Sequence, residues 1–386
     1  MLRALANRTF STRAVNIRIG TTEFTAGPGT PEMTVVIADP STALSIALNP
    51  ELAVGDAFMD GQLTIEGGDI YDFLLLAASQ MSIHPMNPGL LWRWKRRLDQ
   101  ANDRLRARRN VHHHYDLTLD FYRLFLDGDL QYSCALFETP DATLEQAQVA
   151  KKRRLIDKLI LRPDQRVLDI GCGWGGLGLS LAGAGGRVTG VTLSTEQHTT
   201  ARARAVAAGV ADRVDFRLQD YRDLDGTFDR IISVGMFEHV GLPNYQEYFD
   251  TVARLLTPDG VAVIHAIGRR GPPSRTQPWI AKHVFPGGYI PSLSEVLPAI
   301  ERSGLWVTDM EVLRLHYAET LKIWRERFLA RRAEAVALYD ERFCRMWEFY
   351  LASSEVGFRT LGHMVFQIQL TRRQDAVPLT RAYLCD

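Results

Sequence analysis

The apolar run Val167-Leu168-Asp169-Ile170 passes without a spacer into Gly171-Cys172-Gly173-Trp174-Gly175-Gly176, and leucines at 177, 179 and 181 follow. A short buried strand, a glycine turn and a helix are encoded here, because glycine alone tolerates the backbone angles and close ligand approach that such a junction demands. That junction sets an α/β plan for the residues around it. Thr143 with Gln146 forms a capping box opening a helix at 143–161, and Arg162-Pro163-Asp164 turns the chain into a strand at 166–170. Further strands are expected at 187–191, 214–218, 230–234 and 261–265, with helices at 194–208 and 245–256 between them. Strands separated by helices imply a parallel, doubly wound, Rossmann-like sheet that binds ligands beyond the carboxyl ends of its strands.

The chain before this region reads differently. Val35-Val36-Ile37 is a short β segment, Gly27-Pro28-Gly29, Asp39-Pro40 and Asp60-Gly61 are turns, and 70–78 is a helix that gives way to Pro85 and Pro88. A smaller α+β module at 1–88 is therefore expected ahead of a main domain at 111–386. Between them, 89–110 mixes Leu91, Trp92, Trp94 and Leu98 with Arg93, Lys95, Arg96, Arg97, Arg104, Arg106, Arg108 and Arg109. This is the pattern of a basic amphipathic helix on a membrane surface. It is equally that of a solvated linker whose tryptophans pack on a neighbouring domain.

Basic and acidic residues both number 45, so no whole-molecule field draws the chain to nucleic acid, and any attraction to anionic lipid must be local. Cys134, Cys172, Cys344 and Cys385 are far apart with no Cys-x-x-Cys pair, which fits neither a zinc site nor a disulfide framework and suits a reducing cytoplasm. The first twenty residues lack a continuous apolar core with a cleavage site, and the apolar stretch 71–78 falls well short of the roughly 20 residues a bilayer span needs. Contact with a membrane is thus expected from the side.

A dinucleotide site would place a carboxylate about 20 residues beyond the first glycine to hold a ribose hydroxyl. Here that zone reads Val191-Thr192-Leu193, which disfavours NAD. Asp169 instead sits just before the first glycine, suited to an ammonium and unsuited to a pyrophosphate. S-adenosylmethionine carries such an ammonium and no phosphate, and it is the expected cofactor.

Several segments together carry a resemblance: His114-Tyr115-Asp116, Gln131-Tyr132-Ser133-Cys134, the glycine loop, Val191 to Gln197, Gln219-Asp220-Tyr221-Arg222, Met236-Phe237-Glu238-His239-Val240-Gly241 and Phe285-Pro286-Gly287-Gly288. In this order the chain resembles the cyclopropane-fatty-acyl-phospholipid synthase family and its mycolic-acid relatives, over nearly its whole length. The resemblance implies a class I methyltransferase domain with the smaller N-terminal module serving lipid binding or dimerisation. It implies that Gly171, Gly173 and Gly175 border the cofactor's methionine end, that Thr192 and Gln197 lie near the ribose, that Asp220 and Tyr221 face the adenine, and that Tyr115 and Ser133 close the site.

The same resemblance implies the chemistry. Methyl transfer to a cis double bond of an unsaturated phospholipid leaves a carbocation, and ring closure needs a base. A bound bicarbonate fills that role, held by Glu238, His265, Cys134, Tyr317 and the backbone of Ile267. A homodimer at the inner face of the membrane is the implied setting. Each residue also has a plainer reading: Cys134 as core, His265 as a bonded core histidine, Glu238 as a helix cap, Tyr317 as packing on a helix at 315–328. The run His112-His113-His114 invites a metal, but the carboxylates and cysteines of a metal site are missing around it and none is expected. Trp279, Ile280, Val284, Phe285, Tyr289 and Ile290 offer material for a lipid tunnel or for ordinary core. Two other outcomes stay open: a relative that yields a methyl-branched or methylene acid, and a catalytically idle lipid-binding protein.

Overall fold

The computed structural model describes residues 1–80 and 117–384. Tyr115, the basic segment 89–110, His112-His113-His114 and Cys385 lie outside the described residues. The described chain divides into two compact units.

One unit combines residues 1–80 with Thr276–Pro286 and Ala318–His363. Its sheet runs β2-β1-β3-β4, from β1 (Ala14–Ile19), β2 (Thr22–Ala26), β3 (Pro31–Ile37) and β4 (Leu63–Glu66). Only β1 and β3 pair in parallel, so the module is α+β with a mixed sheet. Helix Pro40–Leu48 starts where Asp39 accepts from the backbone of Ser41 and Thr42, with proline in the first turn, and Asp69 with Asp72 closes a capping box on helix Ile70–Ser79. The late helix Glu341–Thr360 packs on Pro50–Met59 and Ile70–Ser79. Residues 276–286 and 318–363 therefore belong with the N-terminal helices, a division that differs from a boundary at 111. The apolar faces of these helices supply the cause. Trp279 is fully buried, its ring 4.5 Å from that of Phe349, and a Cβ on Gly55 would stand 2.5 Å from its indole. Trp279 and Val284 are thus buried within this unit.

The other unit carries seven strands in the order β10-β11-β9-β8-β5-β6-β7. They are β5 (Arg166–Ile170), β6 (Arg187–Thr192), β7 (Val214–Leu218), β8 (Phe228–Val234), β9 (Leu256–Arg269), β10 (Trp306–Leu313) and β11 (His363–Thr371). The run β7-β6-β5-β8-β9 is parallel, and β10 pairs antiparallel with β11. Strand order reverses at β5, which has β6 on one side and β8 on the other. A crevice for ligands opens at such a switch point.

Successive residues of these strands feed opposite layers. Leu168, Ile231 and Ile264 join Phe249, Val252 and Val296 in one buried cluster, while Val167, Ile232 and Val263 join Leu181, Val188 and Phe216 in the other. Both faces of the sheet are covered, as the continuous apolar strands require. Strands β5 and β7 fall where the sequence places them, and β8 and β9 are longer than the apolar runs alone. Strands β10 and β11 stand outside the sequence expectation, although Phe366 to Leu370 alternates apolar and polar residues. Among the described residues no helix is long and apolar enough to cross a membrane.

Candidate active site

The glycine loop begins where β5 ends, and the N–H groups of Gly171 and Cys172 both donate to Val191 O, at 2.9 and 3.0 Å. Gly171, at φ +81°, has no room for a side chain, since a Cβ there would stand 2.9 Å from Met236. Gly173 is at φ +53° and a Cβ there would meet nothing within 4 Å, so at this point the backbone is open to a ligand. Asp169 is 2% exposed, and its Oδ2 has no hydrogen-bond partner. Burial raises its pKa to about 7. A buried carboxylate in this condition is poorly stabilised unless a cation reaches it. The ammonium of S-adenosylmethionine is such a cation, and the residues present fit the group.

Thr192 and Gln197 are brought into direct contact, Thr192 Oγ1 donating to Gln197 Oε1 at 2.8 Å. Ser194 caps the helix Thr195–Ala207 that presents Gln197. Asp220 is also fixed, because Arg222 Nε and Nη2 donate to its two oxygens at 2.9 and 2.7 Å. That bidentate pair also raises the Arg222 pKa, with the Asp220 hydrogen bond the chief cause. Arg222 lies in a motif the sequence offers, but nothing there assigns it this task. Tyr221 packs edge-on against Tyr248 at 5.6 Å.

Beyond β8 and β9 a second group gathers. Glu238 is 8% exposed; its Oε1 accepts from Ile267 N–H at 2.6 Å and its Oε2 has no partner. Burial raises its pKa to about 7 against the lowering effect of the Ile267 hydrogen bond. The N–H of Ile267 thus donates to Glu238 in the structure. His265 stands opposite Val234 in the ladder, and its carbonyl accepts from Gly235 N–H at 2.9 Å. Burial drives its pKa well below the ordinary value, and the charges of Lys151 and Lys158 push the same way, so the imidazole is neutral at pH 7. Its Nδ1 lies 3.1 Å from Nε2 of Gln367, a fully buried residue of β11. Gln367 has no place in the sequence reading. Burial also lowers neighbouring His239, to about 4.

Cys134 is fully buried, with its thiol 3.3 Å from Ala135 O. Ser133 precedes it, and its Cβ lies 4.0 Å from where a Cβ on Gly235 would stand, placing this segment at the carboxyl end of β8. Phe137 N–H donates to His316 Nδ1 at 3.1 Å, which ties the segment bearing Cys134 to the start of helix His316–Ala330 and so to buried Tyr317.

A parallel sheet that reverses at β5, a glycine loop at that point and a buried carboxylate beneath the loop define a class I S-adenosylmethionine-dependent methyltransferase. Residues 102–368 match the family model described as mycolic acid cyclopropane synthetase, and the chain belongs to that family. It is 38% identical to the tuberculostearic acid methyltransferase of Mycobacterium tuberculosis, over 96% of this chain and 91% of that protein. It is 39% identical to the cyclopropane-fatty-acyl-phospholipid synthase of Escherichia coli, over 83% of each. Among solved structures it resembles the mycolic acid cyclopropane synthase CmaA1 complexed with SAH and CTAB, with 35% identity and a TM-score of 0.65 over 68% of this chain and 97% of that one.

Proposed function

We propose that the chain transfers the methyl group of S-adenosylmethionine to the cis double bond of an unsaturated phospholipid acyl chain and closes a cyclopropane ring. The observation that carries this reading is the buried carboxyl of Glu238, held by the Ile267 N–H two residues beyond neutral His265 on the same strand and with no partner for its other oxygen. When bound, S-adenosylmethionine supplies an electrophilic methyl and bicarbonate supplies a base. Asp169 takes the ammonium, the open backbone at Gly173 admits the methionine end, and Thr192 with Gln197 meets the ribose. Glu238, His265, Cys134 and Tyr317 hold and orient the bicarbonate, while Ile267 fixes Glu238. A proton leaving the new methyl group is then received in a buried corner, where no water competes for the cation.

Incubation of the purified protein with S-adenosylmethionine and vesicles of cis-unsaturated phospholipid tests the reading. NMR signals of ring protons in the recovered acyl chains are expected. Methylene products with no ring signals overturn it. A second reading rests on the M. tuberculosis relative, which is named for methylation and covers more of this chain than the ring-forming E. coli relative does. On that reading the same cation loses a proton to give a methylene acid instead of a ring, and a saturated methyl-branched acid needs a hydride donor in addition.

The proposal extends to the setting: a homodimer, cytoplasmic, held at the inner membrane face by the basic segment 89–110. Removing the charges of Arg93, Lys95, Arg96 and Arg97 is then expected to weaken sedimentation with anionic vesicles, most clearly at low salt.

A further inference from the structure

Helix Leu144–Leu159 buries two lysines completely, Lys151 and Lys158, seven residues and about two turns apart. Their surroundings differ. Lys158 Nζ lies 2.6 Å from Glu311 Oε2, so its charge is matched. Lys151 Nζ donates to Gln131 Oε1 at 2.7 Å and to Ser133 Oγ at 2.8 Å, both neutral acceptors. Among the described residues no carboxylate stands within ion-pairing distance of it. Asp127 is the strongest negative charge it feels, but that carboxylate accepts instead from the backbone of Asp129 and Gln131.

A buried ammonium with two neutral partners is expensive, and a methionine would fill the same volume without the cost. Packing alone does not account for it. Burial lowers the Lys151 pKa to about 8, so the charge persists at neutral pH. It reaches the site as well, since it depresses His265.

The direction of the hydrogen bonds shows where an anion would be received. Lys151 is donor only, so the Ser133 oxygen accepts from it and the Ser133 hydroxyl hydrogen must point elsewhere. No acceptor for that hydrogen occurs among the described residues. Ser133 faces Gly235 at the carboxyl end of β8, next to the strand that ends in the glycine loop. The Gln131 amide lies over the first residue of the loop helix, where a Cβ on Gly176 would stand 2.5 Å from its nitrogen. Gln148 Nε2 donates to the carbonyls of Gln131 and Ser133 at 3.3 and 3.0 Å and fixes the backbone between them.

We propose that Lys151 is a positioning residue for a carboxylate: it locks Ser133 as a donor towards the amino-acid carboxylate of the methyl donor and supplies the buried counter-charge for it. The inference rests on the cofactor reading above. The opposed charges of a zwitterionic ligand end are then met by two buried groups, Asp169 for the ammonium and Lys151, through Ser133, for the carboxylate.

Calorimetric titration of S-adenosylhomocysteine and of its decarboxylated analogue against the wild type, Lys151→Met, Ser133→Ala and the double variant tests this. Lys151→Met is expected to weaken S-adenosylhomocysteine about tenfold or more while changing the decarboxylated analogue by less than about threefold. The double variant is expected to lose no more than the worse single one, because the two residues act as a unit. An equal loss for both ligands overturns the proposal and makes Lys151 a packing residue. Unchanged affinity for S-adenosylhomocysteine with a raised bicarbonate requirement for turnover also overturns it and assigns the charge to the other carboxylate-like anion. If Lys151→Met does not fold, Ser133→Ala against the two ligands decides alone: a loss confined to the carboxylate-bearing one supports the proposal, and equal losses overturn it. Failure of the wild type to bind S-adenosylhomocysteine at all is a distinct result, and it removes the cofactor reading itself.

Discussion

Over β6 and β7 the buried polar groups close on one another, whereas over β5, β8, β9 and β11 buried oxygens are left open. Thr192 bonds Gln197, and Asp220 is held on both oxygens by Arg222. Asp169, Glu238 and Gln367 each keep a buried oxygen without a partner. A closed polar network is rigid before a ligand arrives, while an open one carries a desolvation cost that only a ligand relieves. On the proposed reading, the sheet separates recognition of the cofactor's nucleoside end, which is pre-shaped, from the chemistry at its methionine end, which is held in an unfavourable state.

The sharpest way to break this comparison is at Glu238. Glu238→Gln and His265→Ala are each expected to lower turnover by about a hundredfold or more, with S-adenosylhomocysteine affinity kept within about threefold, as read by product analysis and calorimetry. Unfolding of both would make the open side structural. Asp169→Asn comes next. A loss of about tenfold or more in S-adenosylhomocysteine affinity is expected, since a charged hydrogen bond is removed.

That residue also predicts a pH dependence. Burial raises Asp169 to about 7 from an ordinary 3.8, so the folded chain keeps a proton that the unfolded chain releases first. Its contribution to stability is complete below 3.8 and is lost as pH rises towards 7. Ligand binding must expel that proton, so wild-type affinity is expected to climb between about pH 5 and 7 and then level. Asp169→Asn should flatten both the affinity slope and its share of the melting-temperature slope.

Gln367→Leu is expected to cost about tenfold in kcat with little change in KM, because the neutral imidazole loses the contact that fixes its orientation. An unchanged pH–rate profile in that variant would show that Gln367 only packs. On the closed side, Thr192→Val should have the smallest effect, about fivefold in cofactor affinity with kcat at saturation unchanged, in line with one neutral hydrogen bond. A larger loss there than at Asp169 inverts the comparison.

The strand leading into the loop and the helix before it are legible because local rules govern them, whereas Thr192, Gln197 and Asp220 enter only through the family resemblance. Val167 to Ile170 is an apolar run bounded by Pro163 and Gly171, and it forms the strand at the expected residues. Thr143 and Gln146 make the capping box their spacing implies. Lys151 was hidden by its company: with Lys152, Arg153 and Arg154 it reads as part of a solvated face, and only the tertiary packing buries it. Gln367 was hidden in the same way. Glutamines at 367 and 369 suggest the wet face of an edge strand, yet β11 lies inside the sheet with both of them fully buried. The grouping of 318–363 with the N-terminal helices depends on which apolar faces meet, and periodicity within one helix is silent about its partner.

The position of β11 has a consequence for biosynthesis. It lies between β9 and β10, so the strand made last completes a sheet whose other six members precede it in the chain. Until residues 363–371 leave the ribosome, β9 has an exposed edge, β10 has no neighbour to join and His265 lacks its glutamine. A nascent or prematurely terminated chain can therefore hold a finished glycine loop while its acid–base corner is still unassembled.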